Sequence, residues 1–373
     1  MKARDDDRAD LVAFARLPDV GPARIHALVG GDRASRSWAK LVAGAVKPTG
    51  PALRRACPRS DVAALVARWT AASRDIDPEA ELAAHLAAGI EVLYNRDAAW
   101  PFWTDPEPPA VAFVQGDVDL LEYDRPRVAV VGTRRCSAYG IGVANDLGAE
   151  LARNGLPVVS GLAAGIDGAA HVGALAAGAA PPVGVVATGL DVVYPRGHRH
   201  LWQTVGERGV LVSEVPLGTP PTRWRFPARN RLIAGLARAV VVVESAETGG
   251  SMHTVEEALR RDVPVFAVPG PIGSRASSGT NRLLAEGAIP LCDVDDVLLA
   301  VGVDGRTRVA PAVDAPPPGA ATELLDALGW KPATLDQLVL RTGLELGAAA
   351  VAVDELAATG WVAVDGGWLE RRR

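Results

Sequence analysis

Six short apolar runs constrain the fold more than anything else in this chain: VAVVG (128–132), LPVVSG (156–161), VGVVAT (183–188), GVLVSE (209–214), AVVVVES (239–245) and VPVFAVPG (263–270). None alternates apolar with polar residues, so each strand must be buried on both faces. Helical stretches separate most of them, which calls for crossover connections and a mostly parallel sheet covered by helices on both faces. The expected class is therefore α/β. In such sheets ligands bind beyond the carboxyl ends of the strands, so the residues that follow each run are the candidates for function.

Smaller units flank this core. Residues 1–75 read as short helices punctuated by turns, and Leu17-Pro18-Asp19-Val20-Gly21-Pro22 resembles the hairpin of a helix-hairpin-helix or SAM-like domain. Such a glycine turn exposes N–H groups at a helix N-terminus, which suits a phosphate, although simple packing explains the segment equally well. The core is expected over 76–300, opening with a helix from Glu79 to Ala88 and a strand from Ile90 to Leu93. A Pro/Ala/Gly segment over 301–320 reads as a linker. Residues 321–373 give three helices, Ala321 to Leu328, Leu335 to Arg341 and Gly347 to Thr359, then a hairpin turning at Asp365-Gly366-Gly367, the pattern of a winged helix. Its third helix carries Asp354 and Glu355 and no Lys or Arg, which argues against groove reading. Arg371 to Arg373 form its basic tail.

Cys57, Cys136 and Cys292 are far apart and show no metal-ligand or disulfide spacing, so no metal is expected and a reducing cytoplasm fits best. The charged start MKARDDDRAD lacks the apolar stretch of a signal peptide, and no apolar run approaches the ~18 residues of a membrane span. A net charge of −5 excludes chain-wide affinity for nucleic acid; any such site must be a local basic patch.

Four turns at strand ends are chemically equipped. After the first run, Gly132, Thr133 and Arg134 open a helix extending to Asn154, with no GxGxxG dinucleotide fingerprint. After the second, Ser160, Gly161 and Gly165 precede Asp167 and His171. That pair is either an acid/base couple or, the stronger reading, a helix cap and its hydrogen-bond partner. The segment Arg223-Trp224-Arg225-Phe226-Pro227-Ala228-Arg229-Asn230-Arg231 sets four arginines and two aromatics just before an apolar helix LIAGLA. Across 196–238 eight arginines face two glutamates, a local charge of about +6. Arginines among aromatic rings suit a single strand, supplying charge for the backbone and flat faces for the bases. After the fifth run, Gly249, Gly250, Ser251 and Thr254 form another turn suited to phosphate.

In order along the chain these segments resemble the DprA/Smf family, whose core carries a GTR…YG turn, an SGLAxGID..AH turn, a GLD..YP segment, an FPxRNRxIAGL segment and a Gly/Ser turn before a final VPG. Here they stand as Gly132 to Gly140, Ser160 to His171, Gly189 to Pro195, Phe226 to Leu236, Gly249 to Thr254 and Val268-Pro269-Gly270. Gly249-Gly250-Ser251-Met252 departs from the family's Ser-Gly-Ser-Leu, and His198 stands where Asn is frequent. The resemblance implies a Rossmann-like core, homodimers built through it and a basic pocket for single-stranded DNA. It also implies delivery of the RecA recombinase to that DNA during natural transformation, with no cofactor and no catalysis. Arg134 matches the pocket arginine, and Arg229, Asn230 and Arg231 match the RNR segment.

An enzymatic alternative comes from the related lysine-decarboxylase-like superfamily, which includes nucleotide phosphoribohydrolases with a PGGxGTxxE loop. There Glu257 would be the acid/base group and Arg229 or Arg231 the phosphate grip. Against it, Met252 and His253 replace a flexible glycine, and no proline precedes Gly249.

Overall fold

A computed structural model describes residues 6–303 and 316–372. The core sheet has nine strands among the described residues, β1 (Glu91–Leu93), β2 (Ala112–Gly116), β3 (Val128–Val131), β4 (Val158–Ser160), β5 (Val183–Val185), β6 (Val210–Ser213), β7 (Ala239–Val242), β8 (Val265–Ala267) and β9 (Ile289–Pro290). Their spatial order is β1-β2-β6-β5-β4-β3-β7-β8-β9. From β6 to β9 every pairing is parallel, while β2 pairs antiparallel with both β1 and β6. Each of the six apolar runs contains a strand buried at every position, as unalternating sequence requires. Chain order runs outward from β3 in one direction and from β7 in the other, so the sheet's topological switch point lies between those two neighbours.

Helices of the core are α7 (Ala138–Arg153), α8 (Ile166–Ala177), α9 (Arg199–Arg208), α10 (Arg225–Leu236), α11 (Met252–Leu259), α12 (Ser278–Ala285) and α13 (Val294–Ala300). Before them come α1 (Arg8–Arg16), α2 (Pro22–Val29), α3 (Ala34–Val42), α4 (Pro51–Ala56), α5 (Val62–Ser73) and α6 (Pro78–Ala87). This N-terminal bundle closes around Phe14, Trp38 and Trp69, and its apolar cluster runs on without a break to Phe113, Val205 and Leu211 at the sheet's β1–β2 side. The Trp69 indole N–H donates to the Pro18 carbonyl at 2.9 Å, fixing the hairpin between α1 and α2.

The C-terminal module is a winged helix with its own apolar cluster: α14 (Ala320–Leu328), β10 (Ala333–Thr334), α15 (Leu335–Thr342), α16 (Leu346–Ala358), β11 (Val362–Asp365) and β12 (Trp368–Arg371). Thr334 and Gln337 form a capping box on α15. The hairpin between β11 and β12 turns on Gly366 and Gly367 at φ +54° and +83°, the left-handed pair that a two-residue turn requires. Of the expected linker, 304–315 lies outside the described residues. No helix among the described residues is long and apolar enough to cross a membrane.

Two of the helices covering the sheet, α7 and α8, touch backbone to backbone. A Cβ at Gly148 would overlap the Ala170 carbonyl, and one at Gly173 would overlap the Asn145 carbonyl. Neither neighbour is a side-chain end that can swing away. Gly173→Ala should therefore lower stability by ~1–3 kcal/mol in urea unfolding. Gly250→Ala, where a Cβ would meet nothing within 4 Å, should stay within ~0.5 kcal/mol of the parent. Equal behaviour of the two would contradict the close helix contact.

Candidate functional site

β3 delivers the first turn. The Thr133 amide donates to the Glu244 carbonyl at 2.7 Å, which ties this turn to the end of β7. The Glu244 carboxylate, 2% exposed, then accepts from the Ser137 amide at 2.9 Å and from the Ser137 hydroxyl at 2.7 Å. Ser137 in turn caps α7 by accepting from the Gly140 amide. One buried carboxylate thereby fixes the mouth of the turn, leaving Arg134 and Arg135 exposed. No motif drew attention to Glu244.

The second turn forms the floor. The Ser160 hydroxyl donates to the Val130 carbonyl at 2.6 Å and so binds β4 to β3 rather than facing a ligand. Gly165, at φ +84°, is the N-cap of α8, and a Cβ there would overlap the Thr133 carbonyl. Asp167 is thus not the cap that the sequence suggested. Only glycine takes that left-handed corner without strain, so the carboxylate lies in the first helical turn and reaches back to accept from the Gly161 amide at 3.1 Å. Nor do Asp167 and His171 form a couple at a cleft. His171 is fully buried with Nε2 at 3.2 Å from the Val183 carbonyl, and burial pushes its pKa down to about 4, so it is neutral.

The arginine-rich segment lies largely within α10 instead of preceding a helix. Pro227 occupies the first turn, where no intrahelical N–H is needed, so it starts the helix instead of breaking it. Helical spacing then divides the arginines. Arg229 is 5% exposed, donates to the Val185 carbonyl at the end of β5 and lies flat against Gly161. Burial lowers its pKa to about 10, Asp167 opposes that fall, Arg134 adds to it, and the group stays charged at neutral pH. Asp167 is pushed up by burial and held down by Arg229 and by backbone N–H groups, including that of Gly161. Arg231, 6% exposed, pairs with Glu214 and donates to the Glu107 carbonyl at 2.6 Å. Two of the local positive charges are therefore interior, matched by Asp167 and Glu214. Arg223 is exposed, while Arg225 stacks 4.8 Å from the Trp224 ring and donates to the Pro220 carbonyl.

The turn before α11 completes the enclosure. Ser251 donates its hydroxyl to Ser245 at 2.8 Å, and Asn230 on α10 donates to the Gly250 carbonyl at 3.1 Å. Between these turns, at the switch point of the sheet, opens a cleft of ≈ 470 Å³. Of the residues singled out from sequence, Gly132, Thr133, Arg134, Phe226, Arg229, Asn230, Gly250, Ser251 and Thr254 line it. Ser160, Gly161, Gly165, Arg223, Arg225 and Arg231 do not. Arg135 and His253 line it without having been selected, as does Asp167, which the sequence offered as a helix cap or acid/base group and not as a binding residue. A further unselected residue is Tyr194, whose ring lies 5.3 Å from Phe226; Arg134 covers Phe226 at 5.2 Å. Its place in the Tyr-Pro motif was visible, but its exposure was not.

Glu257, the catalytic carboxylate of the enzymatic alternative, lies outside the cleft and pairs with Arg261 at 2.6 Å and Arg260 at 3.0 Å. Arg225 and the hairpin residues Asp19 and Gly21 line a narrower neighbouring crevice, together with Glu214. Among the described residues no three His, Cys, Asp or Glu side chains converge as metal ligands.

Residues 91–302 match the family model of DNA recombination-mediator protein A, and residues 308–356 match that of the DprA winged helix domain. The sequence is similar to DNA processing protein DprA of Bacillus subtilis, 39% identical over 58% of this chain and 73% of that one. The fold is similar to the crystal structure of DNA processing protein A from Streptococcus pneumoniae, with TM-score 0.60 and 32% identity over 78% of this chain and 95% of that one. It is also similar to DNA processing protein A from Helicobacter pylori, a single-stranded DNA binder, with TM-score 0.50 and 30% identity over 56% and 94%.

Two measurements test this arrangement. Arg229→Ala should cost ~3–5 kcal/mol of stability, because Asp167 is left buried without its countercharge, whereas Arg134→Ala should melt as the parent does. A parent-like melt for Arg229→Ala would place its side chain in solvent. Acid stability tests His171: between pH 6.5 and about 4 the unfolded chain binds a proton that the folded chain excludes. Stability must then fall on acidification through that window, by at most ~1.4 kcal/mol per pH unit from this group. His171→Gln should flatten that part of the slope, and an unchanged slope would contradict the buried neutral imidazole.

Proposed function

Because the chain belongs to the DNA recombination-mediator protein A family, DprA/Smf, we propose that it binds single-stranded DNA across the switch-point cleft and passes the strand to the RecA recombinase. It would act as a cytoplasmic homodimer in DNA uptake and recombination. The observation that carries this is the pairing of exposed arginines with accessible rings: Arg134 and Arg135 at the mouth, Phe226 and Tyr194 beside them. Arginine neutralises the phosphates, and the rings stack on bases that a duplex would keep paired and covered. The glycine turn at Gly249-Gly250 offers backbone N–H groups just before the start of α11 for a further phosphate.

The buried arginines act differently from the exposed ones. Arg229 reaches the cleft from below as a fixed positive charge, and Arg231 holds the segment after β6 through Glu214. Sequence preference is expected to be weak, because stacking and phosphate contacts read no base edge. Recombinase delivery and dimer formation rest on the family alone. A nucleotide hydrolase is disfavoured by Glu257, which is committed to Arg260 and Arg261 away from the cleft.

Binding of fluorescent oligo(dT) as a function of salt tests the proposal. Affinity for the single strand should exceed that for the matching duplex, with a log–log salt slope of about −0.7 per phosphate contact. Arg134→Ala should remove about one such contact, and Phe226→Ala should cost ~1–3 kcal/mol of affinity. Equal affinity for duplex, or a flat salt response, would overturn the assignment. Recombinase filament nucleation on DNA coated by single-strand-binding protein, faster with the protein than without, tests the delivery step.

A further inference from the structure

The winged helix rests on the mouth of the first turn. Strand β12 runs beside the start of α7, and the Ala138 amide, the first of that helix, donates to Glu370 Oε2 at 3.3 Å. The neighbouring Tyr139 N–H also helps to hold the Glu370 carboxyl down, less than the Ala138 N–H does. Trp330 meets the Tyr139 ring edge to face at 5.9 Å, with the Arg371 guanidinium 4.9 Å from the Trp330 ring. The Arg372 carbonyl lies against Gly142. The anchor is thus one carboxylate on a helix N-terminus, one aromatic pair and a backbone contact. The module's main apolar cluster, with Leu324, Leu338 and Leu356, is separate from that of the sheet, so its fold does not depend on this docking.

Two features make the docking antagonistic to a strand. Glu370 lies near Glu244, and burial together with that like charge pushes its carboxyl up. Ala138 follows Arg135 by three residues, at most ~11 Å along the chain, which is close to the ~10 Å Debye length at about 0.1 M salt. A phosphate held by Arg134 and Arg135 would feel the Glu370 charge. That carboxylate also cancels the positive end of α7, which would otherwise favour the strand.

We propose that the winged-helix module is a latch on the strand-binding cleft, in which Glu370 takes the place of a DNA phosphate at the N-terminus of α7, so that wing docking and strand binding oppose each other. This rests on the single-strand proposal above. Linkage makes the opposition reciprocal: whatever releases the wing strengthens strand binding, and a bound strand loosens the wing.

The full-length protein tests this with oligo(dT) binding and amide hydrogen exchange over 138–140. Glu370→Gln should bind oligo(dT) ~3–10-fold more tightly than the parent at low salt. Glu370→Lys should bind more tightly still, with both gains shrinking as salt rises. Saturating oligo(dT) should speed exchange of the Ala138 and Tyr139 amides in the parent, and Glu370→Gln should speed it without DNA. Unchanged or weaker binding by the variants, or exchange at 138–140 that oligo(dT) leaves untouched, overturns the latch while leaving the cleft assignment standing. Failure of parent and variants alike to bind oligo(dT) sinks both.

Discussion

The cleft depends on one buried charge. Arg229 projects from α10 beneath two strand ends, touching the Val185 carbonyl at the end of β5 and the Gly161 backbone after β4, with Asp167 as its countercharge. Taking a guanidinium out of water costs several kcal/mol unless its partners are well placed. The strand ends are therefore held where those partners meet it. Asp167 extends the constraint by accepting from the Gly161 amide, and Gly165 brings the same loop against Thr133. Glu244 makes a parallel arrangement above, fastening the first turn to β7 and to the cap of α7. At the cleft mouth, exposed Arg134 and Arg135 are carried on the turn that Glu244 fastens, and half-buried Phe226 is carried on α10, the helix that Arg229 anchors.

This division of labour reconciles an acidic chain with a nucleic-acid site. Net charge of −5 would repel a strand at long range. Locally the carboxylates nearest the cleft, Asp167 and Glu244, are almost fully buried and committed to backbone N–H groups, a hydroxyl or an arginine. What remains at the surface there is mainly guanidinium and ring. The carboxylate that does approach from outside, Glu370, belongs to a different module, and it is positioned to exert the control proposed for it.

Much of the fold was legible because it rests on residue patterns with a single solution. Unbroken valine runs permit only a doubly covered sheet, and Gly366-Gly367 between short apolar strands permits only a tight hairpin. The site was less legible. The arginine cluster read as one exposed patch, since sequence shows charge but not which side of a helix it faces. Arg229 and Arg231 turned inward because α10 starts before Pro227, a residue that ordinarily signals a break. Asp167 resembled a cap, and the true cap was Gly165, whose left-handed backbone leaves no mark on composition. Glu244 was missed because a lone Glu after a strand carries no spacing signal, and Tyr194, although inside the Tyr-Pro segment, was missed because that spacing does not show that its ring is exposed beside Phe226.

Photocrosslinking tests the central claim most directly. An oligo(dT) carrying 4-thiothymidine, bound to the full-length protein and irradiated, should attach to Tyr194, Phe226 and the 133–135 turn, as mapped by peptide mass spectrometry. Crosslinks confined to the hairpin around Gly21 or to α16 of the winged helix would contradict the account and move the strand to another domain.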